Sequence, residues 1–114
     1  MIKLIPTDDI DEGSSRGIER NSMYLFAIKK DDLFHIYLNS CPHLGTPLEW
    51  LEDQFLNEDG ALIRCATHGA LFDIESGQCL VGPCKGKSLR KIPFVVREGI
   101  IMIDENDLKP PPIF

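Results

Sequence analysis

The chain lacks any apolar run approaching the roughly 20 residues that cross a lipid bilayer. Its N-terminus, MIKLIPTDDIDEG, turns acidic after a short apolar start and has neither the basic region nor the long apolar region of a signal peptide. Basic residues are too few to balance the acidic ones, and the net charge of −6 disfavours binding to nucleic acid and to anionic membranes. We therefore expect a cytoplasmic protein with neither kind of partner.

Internal repeats, low-complexity segments and convincing helical periods are also missing. The best helical candidate is TPLEWLEDQF (46–55), which Pro47 and the segment after it limit to roughly one or two turns. With 114 residues, of which 43% are hydrophobic and 26% charged, the chain can bury one modest core. We expect a single domain over residues 1–114.

Apolar residues alternate with period two through most of the chain, which predicts antiparallel β-structure. Three pairs of such segments flank short polar turns and predict hairpins: MYLFAIKK with LFHIYLNS (23–30 and 33–40), QFL with ALIR (54–56 and 61–64), and FVVR with IIMID (94–97 and 100–104). MIKLI (1–5) and LRKI (89–92) predict two further strands. The expected fold is all-β, as a small sandwich or partial barrel.

Two short motifs follow the first two predicted hairpins. CPHLG (41–45) and CATHG (65–69) give the pattern Cys41-x-His43, then 21 residues, then Cys65-x-x-His68. Cytoplasmic thiols stay reduced, so cysteines there suggest metal binding or catalysis before disulfides. Two paired Cys and His loops rarely arise by chance in so short a chain, and we expect these four residues to bind a metal centre.

Two kinds of centre fit these residues. Zinc accepts a tetrahedral set of two cysteines and two histidines, but the Cys41-x-His43 spacing is tight for a zinc site. Gly45 and Gly69 end the two motifs, where glycine lets backbone N–H groups approach an anionic ligand. The sulfides and thiolates of an iron–sulfur cluster need such donors. The residues favour a cluster and leave zinc open.

CPHLG and CATHG, followed by LFDIESGQCLVGP, resemble the Rieske [2Fe–2S] domain over roughly residues 24–104. The resemblance implies a Rieske-like antiparallel β-sandwich with a small cluster-binding subdomain at roughly residues 40–87. It also implies a [2Fe–2S] cofactor, with Cys41 and Cys65 on one iron and His43 and His68 on the other.

The chain departs from respiratory-complex members of this family at four positions. Those members carry an extra cysteine in each loop, where this chain has Thr46 and Thr67, and a Ser and a Tyr after the second motif, where it has Ala70 and Phe72. Fewer hydroxyl donors near the sulfurs stabilise the reduced state less. We expect a potential near the low end of the range of about −150 to +300 mV.

The resemblance therefore implies a soluble, ferredoxin-type electron carrier and not an enzyme by itself. Its expected partners are a flavoprotein reductase and an oxygenase-type acceptor, as in a multi-component oxygenase system. Two alternatives stay open: a small regulatory or accessory redox subunit of a larger reductase, and a structural zinc-binding module.

Several residues outside the motifs invite other interpretations. Cys79 and Cys84 fit a disulfide, a redox-active thiol pair or simple packing, and the residues do not decide among these. Gly82 and Pro83 resemble the family's proline loop, which covers the cluster. The basic segment 85–91 suggests either a solvated loop or a docking site for an acidic partner, and His35 is expected to be structural.

Overall fold

The computed structural model describes residues 1–40, 48, 53–66 and 69–108. Within them lie nine strands, β1 Ile2–Pro6, β2 Ser14–Arg20, β3 Met23–Lys30, β4 Leu33–Leu38, β5 Leu62–Arg64, β6 Leu71–Asp73, β7 Cys79–Val81, β8 Val95–Arg97 and β9 Ile100–Ile103. Two single-turn 3₁₀ helices, Thr7–Asp9 and Glu105–Leu108, complete the regular structure of this part of the chain. No helix in the described ranges is long and apolar enough to span a bilayer.

The strands form three antiparallel sheets, in the orders β1-β9-β8, β2-β3-β4 and β5-β6-β7. The all-β prediction is thereby confirmed. The first predicted hairpin is β3–β4, and its turn residues Asp31 and Asp32 both adopt positive φ, +53° and +63°. The third is β8–β9, with Glu98 at +52° and Gly99 at +73°. Two consecutive positive φ angles match the right-handed twist of the strands that they join.

The second predicted hairpin is only partly formed. Its first arm makes a single bridge, Leu56 to Ile63, while β5 finds its full partner in β6. The prediction of a strand at 89–92 was wrong, since that segment makes one bridge, from Lys91 to Tyr37. Most of the candidate helix at 46–55 falls on residues 46–47 and 49–52, outside the described residues.

Strand β3 is buried on both faces and separates two hydrophobic cores. Phe26 and Ile28 point into a first core, whereas Leu25 and Ala27 point into a second one. The first core consists of Phe26, Ile28, Tyr37, Leu48, Phe55, Ile63, Cys65, Ala70, Phe72, Ile74, Cys79, Cys84 and Leu89. In it, Phe26 and Phe55 stack with ring centroids 4.4 Å apart. The second core lies against the β1-β9-β8 sheet.

Candidate metal centre

Cys65 is the predicted ligand whose position the structure describes, whereas Cys41, His43 and His68 lie outside the described residues. It follows β5 directly and is 0% exposed in the first core. Its backbone N–H donates to the carbonyl of Ala70 at 2.9 Å, and its carbonyl accepts from the N–H of Gly69 at 2.8 Å. These two bonds close a tight loop between β5 and β6 and hold the cysteine at the strand end.

Gly69 owes its place in this loop to backbone conformation. Its φ of +67° lies in the left-handed region that side chains disfavour, although a Cβ there would meet no heavy atom of the described residues within 4 Å. Its N–H is engaged by the Cys65 carbonyl. The N–H of Gly69 itself is thus committed within the loop, and the expectation that a glycine here lets backbone N–H groups approach an anionic ligand stays a prediction.

The two motif regions are tied together through the residues that border them. Asn39 precedes the first motif and is buried, and its side-chain Oδ1 accepts the N–H of Leu48, which follows that motif, at 2.8 Å. The Leu48 carbonyl accepts the N–H of Ala66 at 2.8 Å. The Asn39 N–H in turn donates to the Tyr24 carbonyl on β3 at 2.8 Å. Asn39 was not among the residues predicted from the sequence, and its position two residues before Cys41 was the available signal.

A third segment, the turn after β7, packs on Ala70, the residue directly after the second motif. A Cβ added to Gly82 would lie 2.9 Å from both Cα and Cβ of Ala70, so only glycine fits this approach. Its φ of +113° independently favours glycine. Gly82 and Pro83 themselves are exposed. This is the segment expected to resemble a covering proline loop, and it lies against the residue that accepts the Cys65 N–H.

The described residues of the first core bring few hydroxyl groups to the surroundings of Cys65. Ala70 and Phe72, which stand where the respiratory members have hydroxyls, are both fully buried. Tyr37 shares the first core, but its hydroxyl donates to the carbonyl of Ile74 at 2.5 Å. Burial, with Asp73 and Glu75 as lesser causes, raises the pKa of Tyr37 far above its usual value. This hydroxyl is therefore a neutral, committed donor within the core.

The chemistry of Cys65 fits a metal-bound thiolate. A fully buried thiolate without a cation would pay a large desolvation penalty, and coordination removes that penalty. Among the described residues, no group of three or more His, Cys, Asp or Glu side chains could hold a metal ion. The predicted set of Cys41, His43, Cys65 and His68 stays a prediction, because three of the four residues lie outside the described residues.

Comparison with known proteins identifies the family. The model of the Rieske [2Fe-2S] domain matches residues 1–97. A ferredoxin from Sphingomonas yanoikuyae B1 superposes with a TM-score of 0.74 at 24% identity, over 90% of this chain and 96% of that one. The ferredoxin of carbazole 1,9a-dioxygenase from Nocardioides aromaticivorans IC177 gives a TM-score of 0.72 at 19% identity, over 90% and 94%. These likenesses show the shared fold.

A comparison with curated protein sequences found no match. The family model nevertheless covers most of the 114 residues, including both Cys and His motifs. The chain therefore belongs to the Rieske [2Fe-2S] domain family, and its cofactor is a [2Fe–2S] cluster.

Proposed function

We propose that this protein is a one-electron carrier, the ferredoxin component between a flavoprotein reductase and an oxygenase-type acceptor. The observation that carries the proposal is that this chain and known ferredoxins align over nearly the full length of both proteins. The chain and the two ferredoxins match over nine-tenths or more of both lengths, 90% against 96% and 90% against 94%. By contrast, a terminal oxygenase of carbazole 1,9a-dioxygenase from Novosphingobium sp. KA1 is matched over 28% of its chain.

In this proposal Cys41, His43, Cys65 and His68 hold the cluster. The buried position of Cys65 and the hydrogen bond from Ala66 to Leu48 support the assignment, because they tie residues beside both motifs to each other. When bound, the cluster accepts and releases one electron, at a potential that imidazole ligands raise because they carry no charge. Roughly residues 40–87 form the cluster-binding subdomain, whose regular part is the β5-β6-β7 sheet.

The surroundings of Cys65 set the conditions for electron transfer. The first core excludes water from the thiolate side, and the β5–β6 loop holds Cys65 by two backbone bonds, so the site reorganises little between oxidation states. Ala70 and Phe72 offer no hydroxyl to the sulfurs, which keeps the potential low within the Rieske range. A low potential suits a carrier that is reduced by a flavin and passes electrons onward.

The end of β7 and the turn after it offer a surface for these partners. We call this segment the docking loop (residues 80–87). Leu80 and Val81 are 42% and 54% exposed, large values for adjacent apolar residues. Lys85 and Lys87 are exposed beside them in a chain whose net charge is −6. Exposed apolar and basic side chains in one short segment fit a protein partner with acidic residues at its interface, since charge complementarity speeds encounter. We also propose a cytoplasmic location, in keeping with such partners.

A reconstituted electron-transfer chain tests the proposal. The purified protein is mixed with NADH and the flavoprotein reductase of a Rieske ferredoxin system, and cytochrome c is the final acceptor. We expect cytochrome c reduction that depends on this protein and disappears with Cys65→Ser. A Cys79→Ser variant, which changes another buried cysteine of the first core, is expected to retain it. Cluster-loaded protein that dithionite reduces but that passes no electron to cytochrome c would overturn the carrier role.

A further inference from the structure

Two cysteines that the cluster does not require lie in contact inside the first core. The Cys84 thiol donates to the sulfur of Cys79, with the two Sγ atoms 2.9 Å apart. Cys79 is 2% exposed and Cys84 1% exposed. The Cys79 thiol also lies 3.4 Å from the carbonyl of Val81, to which it donates. Both thiols are therefore held in one place by the surrounding protein.

The docking loop brings these two cysteines together by reversing the chain. At its base, Cys79 donates its N–H to the carbonyl of Lys87 at 2.8 Å. Within the turn, the backbone N–H of Lys87 donates to the Cys84 carbonyl at 2.9 Å, and the backbone N–H of Lys85 donates to the Gly82 carbonyl at 3.2 Å. Gly86, at φ +94°, supplies a conformation that other residues rarely adopt. The loop is closed before any covalent link is made.

The separation of the sulfurs is suited to reversible bond formation. A disulfide has an S–S length of about 2.05 Å, so the 2.9 Å contact must shorten by only about 0.9 Å. Because the hydrogen-bonded turn already closes the loop, little chain entropy remains to be lost on linking the two residues. The reduced loop is thus preorganised for the oxidised form.

We infer that Cys79 and Cys84 form a reversible dithiol–disulfide site that exchanges with small anionic disulfides of the glutathione class. This site is separate from the four proposed cluster ligands and does not depend on the proposed electron-carrier role. Its nearest charged neighbours along the sequence are Lys85 and Lys87, both exposed, and their positive charges favour the approach of an anionic disulfide.

Cys84 reacts first, since it lies in the turn between the exposed residues Pro83 and Lys85. On opening of the turn, its thiolate attacks one sulfur of the small disulfide, forming a mixed disulfide and releasing one small thiol. The Cys79 thiolate then attacks the Cys84 sulfur, the protein disulfide forms, and the second small thiol leaves. The protein loses two electrons and two protons, and the small disulfide gains both.

The Cys79–Cys84 disulfide would affect the residues next to the second motif. Gly82 lies between the two cysteines and packs on Ala70, whose carbonyl accepts the N–H of Cys65. A disulfide would link Cys79 to Cys84 on either side of Gly82. It would therefore restrict movement of Gly82 away from Ala70. We expect the oxidised form to resist proteolysis within the docking loop, where Lys85 and Lys87 are trypsin sites, better than the reduced form.

Equilibration in glutathione buffers tests the inference directly. Cluster-loaded protein is incubated anaerobically at graded ratios of oxidised to reduced glutathione, quenched with acid, unfolded, alkylated and mapped by mass spectrometry. We expect Cys79 and Cys84 to lose alkylation together, with a mass loss of two hydrogens and full recovery in reduced glutathione. Cys79→Ser is expected to trap Cys84 as a glutathione adduct.

Two outcomes would overturn the inference: alkylation of both cysteines at every glutathione ratio, or independent adducts on each without a linked peptide. The visible absorption of the cluster is followed in the same samples, because the site is expected to respond while the cluster remains intact. A protein that fails as an electron carrier but forms this disulfide would separate the two proposals.

Discussion

The backbone N–H of Ala66 donates a 2.8 Å hydrogen bond to the carbonyl of Leu48. Leu48 follows the first Cys and His motif, and Ala66 lies within the second. The amide N–H of Leu48 is held in turn by the side chain of Asn39, which precedes the first motif. One buried asparagine therefore connects β4 to residues beside both halves of the proposed cluster site.

Replacing Asn39 with alanine removes the acceptor of the Leu48 N–H. A buried donor left without a partner costs about 1–3 kcal/mol, so Asn39→Ala is expected to lower the unfolding free energy by about that amount. It is also expected to speed cluster loss, measured by the decay of visible absorption in chelator. The matched control is Asn57→Ala, because the Asn57 side chain caps the turn before β5 by accepting the N–H groups of Ala61 and Leu62. Equal rates of cluster loss in the two variants would contradict the role assigned to Asn39.

The absence of a hydroxyl at Ala70 and at Phe72 predicts a low midpoint potential. We expect anaerobic redox titration of the wild type to give a midpoint below zero, within the lower part of the range of about −150 to +300 mV. Phe72→Tyr adds a hydroxyl at a fully buried position and is expected to raise the midpoint by roughly tens of millivolts if it donates to a sulfur. Tyr37→Phe is the control, because the Tyr37 hydroxyl is committed to Ile74. A wild-type midpoint well above zero would refute this explanation.

His35 predicts a pH dependence of stability. It is 7% exposed on β4, and its Nδ1 finds no hydrogen-bond partner among the described residues. Burial first, and then Lys91, lower the pKa of His35 from its ordinary 6.5, while Glu75 and Asp73 oppose the shift. As the pH falls through about 6.5, His35 becomes protonated in the unfolded chain but stays neutral in the folded protein. The free energy of unfolding therefore decreases as the pH drops below that value.

Urea unfolding between about pH 7.5 and about pH 5.5 checks this prediction. His35→Leu is expected to reduce the loss of unfolding free energy over this interval. His43 and His68 stay the same in both proteins, so the difference between the two curves reports His35. Parallel curves for the variant and the wild type would show that His35 contributes nothing to the pH dependence.

The docking loop predicts a charge-dependent encounter with partners. Reversing Lys85 and Lys87 to glutamate is expected to slow reduction by the partner flavoprotein roughly tenfold at low ionic strength, with the effect fading as salt is added. Lys3→Glu changes an exposed lysine on β1, in a different sheet, and serves as the control. Stopped-flow rates that are the same for both variants and the wild type would exclude this surface from docking.

Local signals in the sequence predicted the first and third hairpins well. Asp31 with Asp32, and Glu98 with Gly99, form short polar turns, and each pair lies between two clear apolar alternations. Asp and Gly are residue types that tolerate positive φ, whereas Glu98 adopts it without that preference. Strand β2 was missed because its residues, SSRGIER, are mostly polar and none is fully buried. It is a strand because every one of its residues pairs with β3, and no periodicity within β2 itself shows that.

Short strands and long-range contacts account for the other differences. Strands β6 and β7 have three residues each, too few for an alternation to be read. The segment at 89–92 does alternate, yet it meets β4 through one bridge only. For the site, the two Cys and His motifs indicated the family, and the four ligands stay a prediction. The sequence offered Cys79 and Cys84 as a disulfide, a redox-active pair or packing residues, and the structure places the two in contact. The bond from Ala66 to Leu48 and the packing of Gly82 on Ala70 depend on tertiary structure and had no local signature.

The central claim is that two cysteines and two histidines of this chain share one [2Fe–2S] cluster. Pulsed electron paramagnetic resonance of the dithionite-reduced protein tests it most directly, because it detects nitrogen nuclei bound to the paramagnetic cluster. We predict one unpaired spin per chain, coupled to two histidine nitrogens, with one coupling lost in His43→Cys and the other in His68→Cys. A reduced cluster without nitrogen coupling, or a colourless protein that contains zinc and gives no signal, would contradict it.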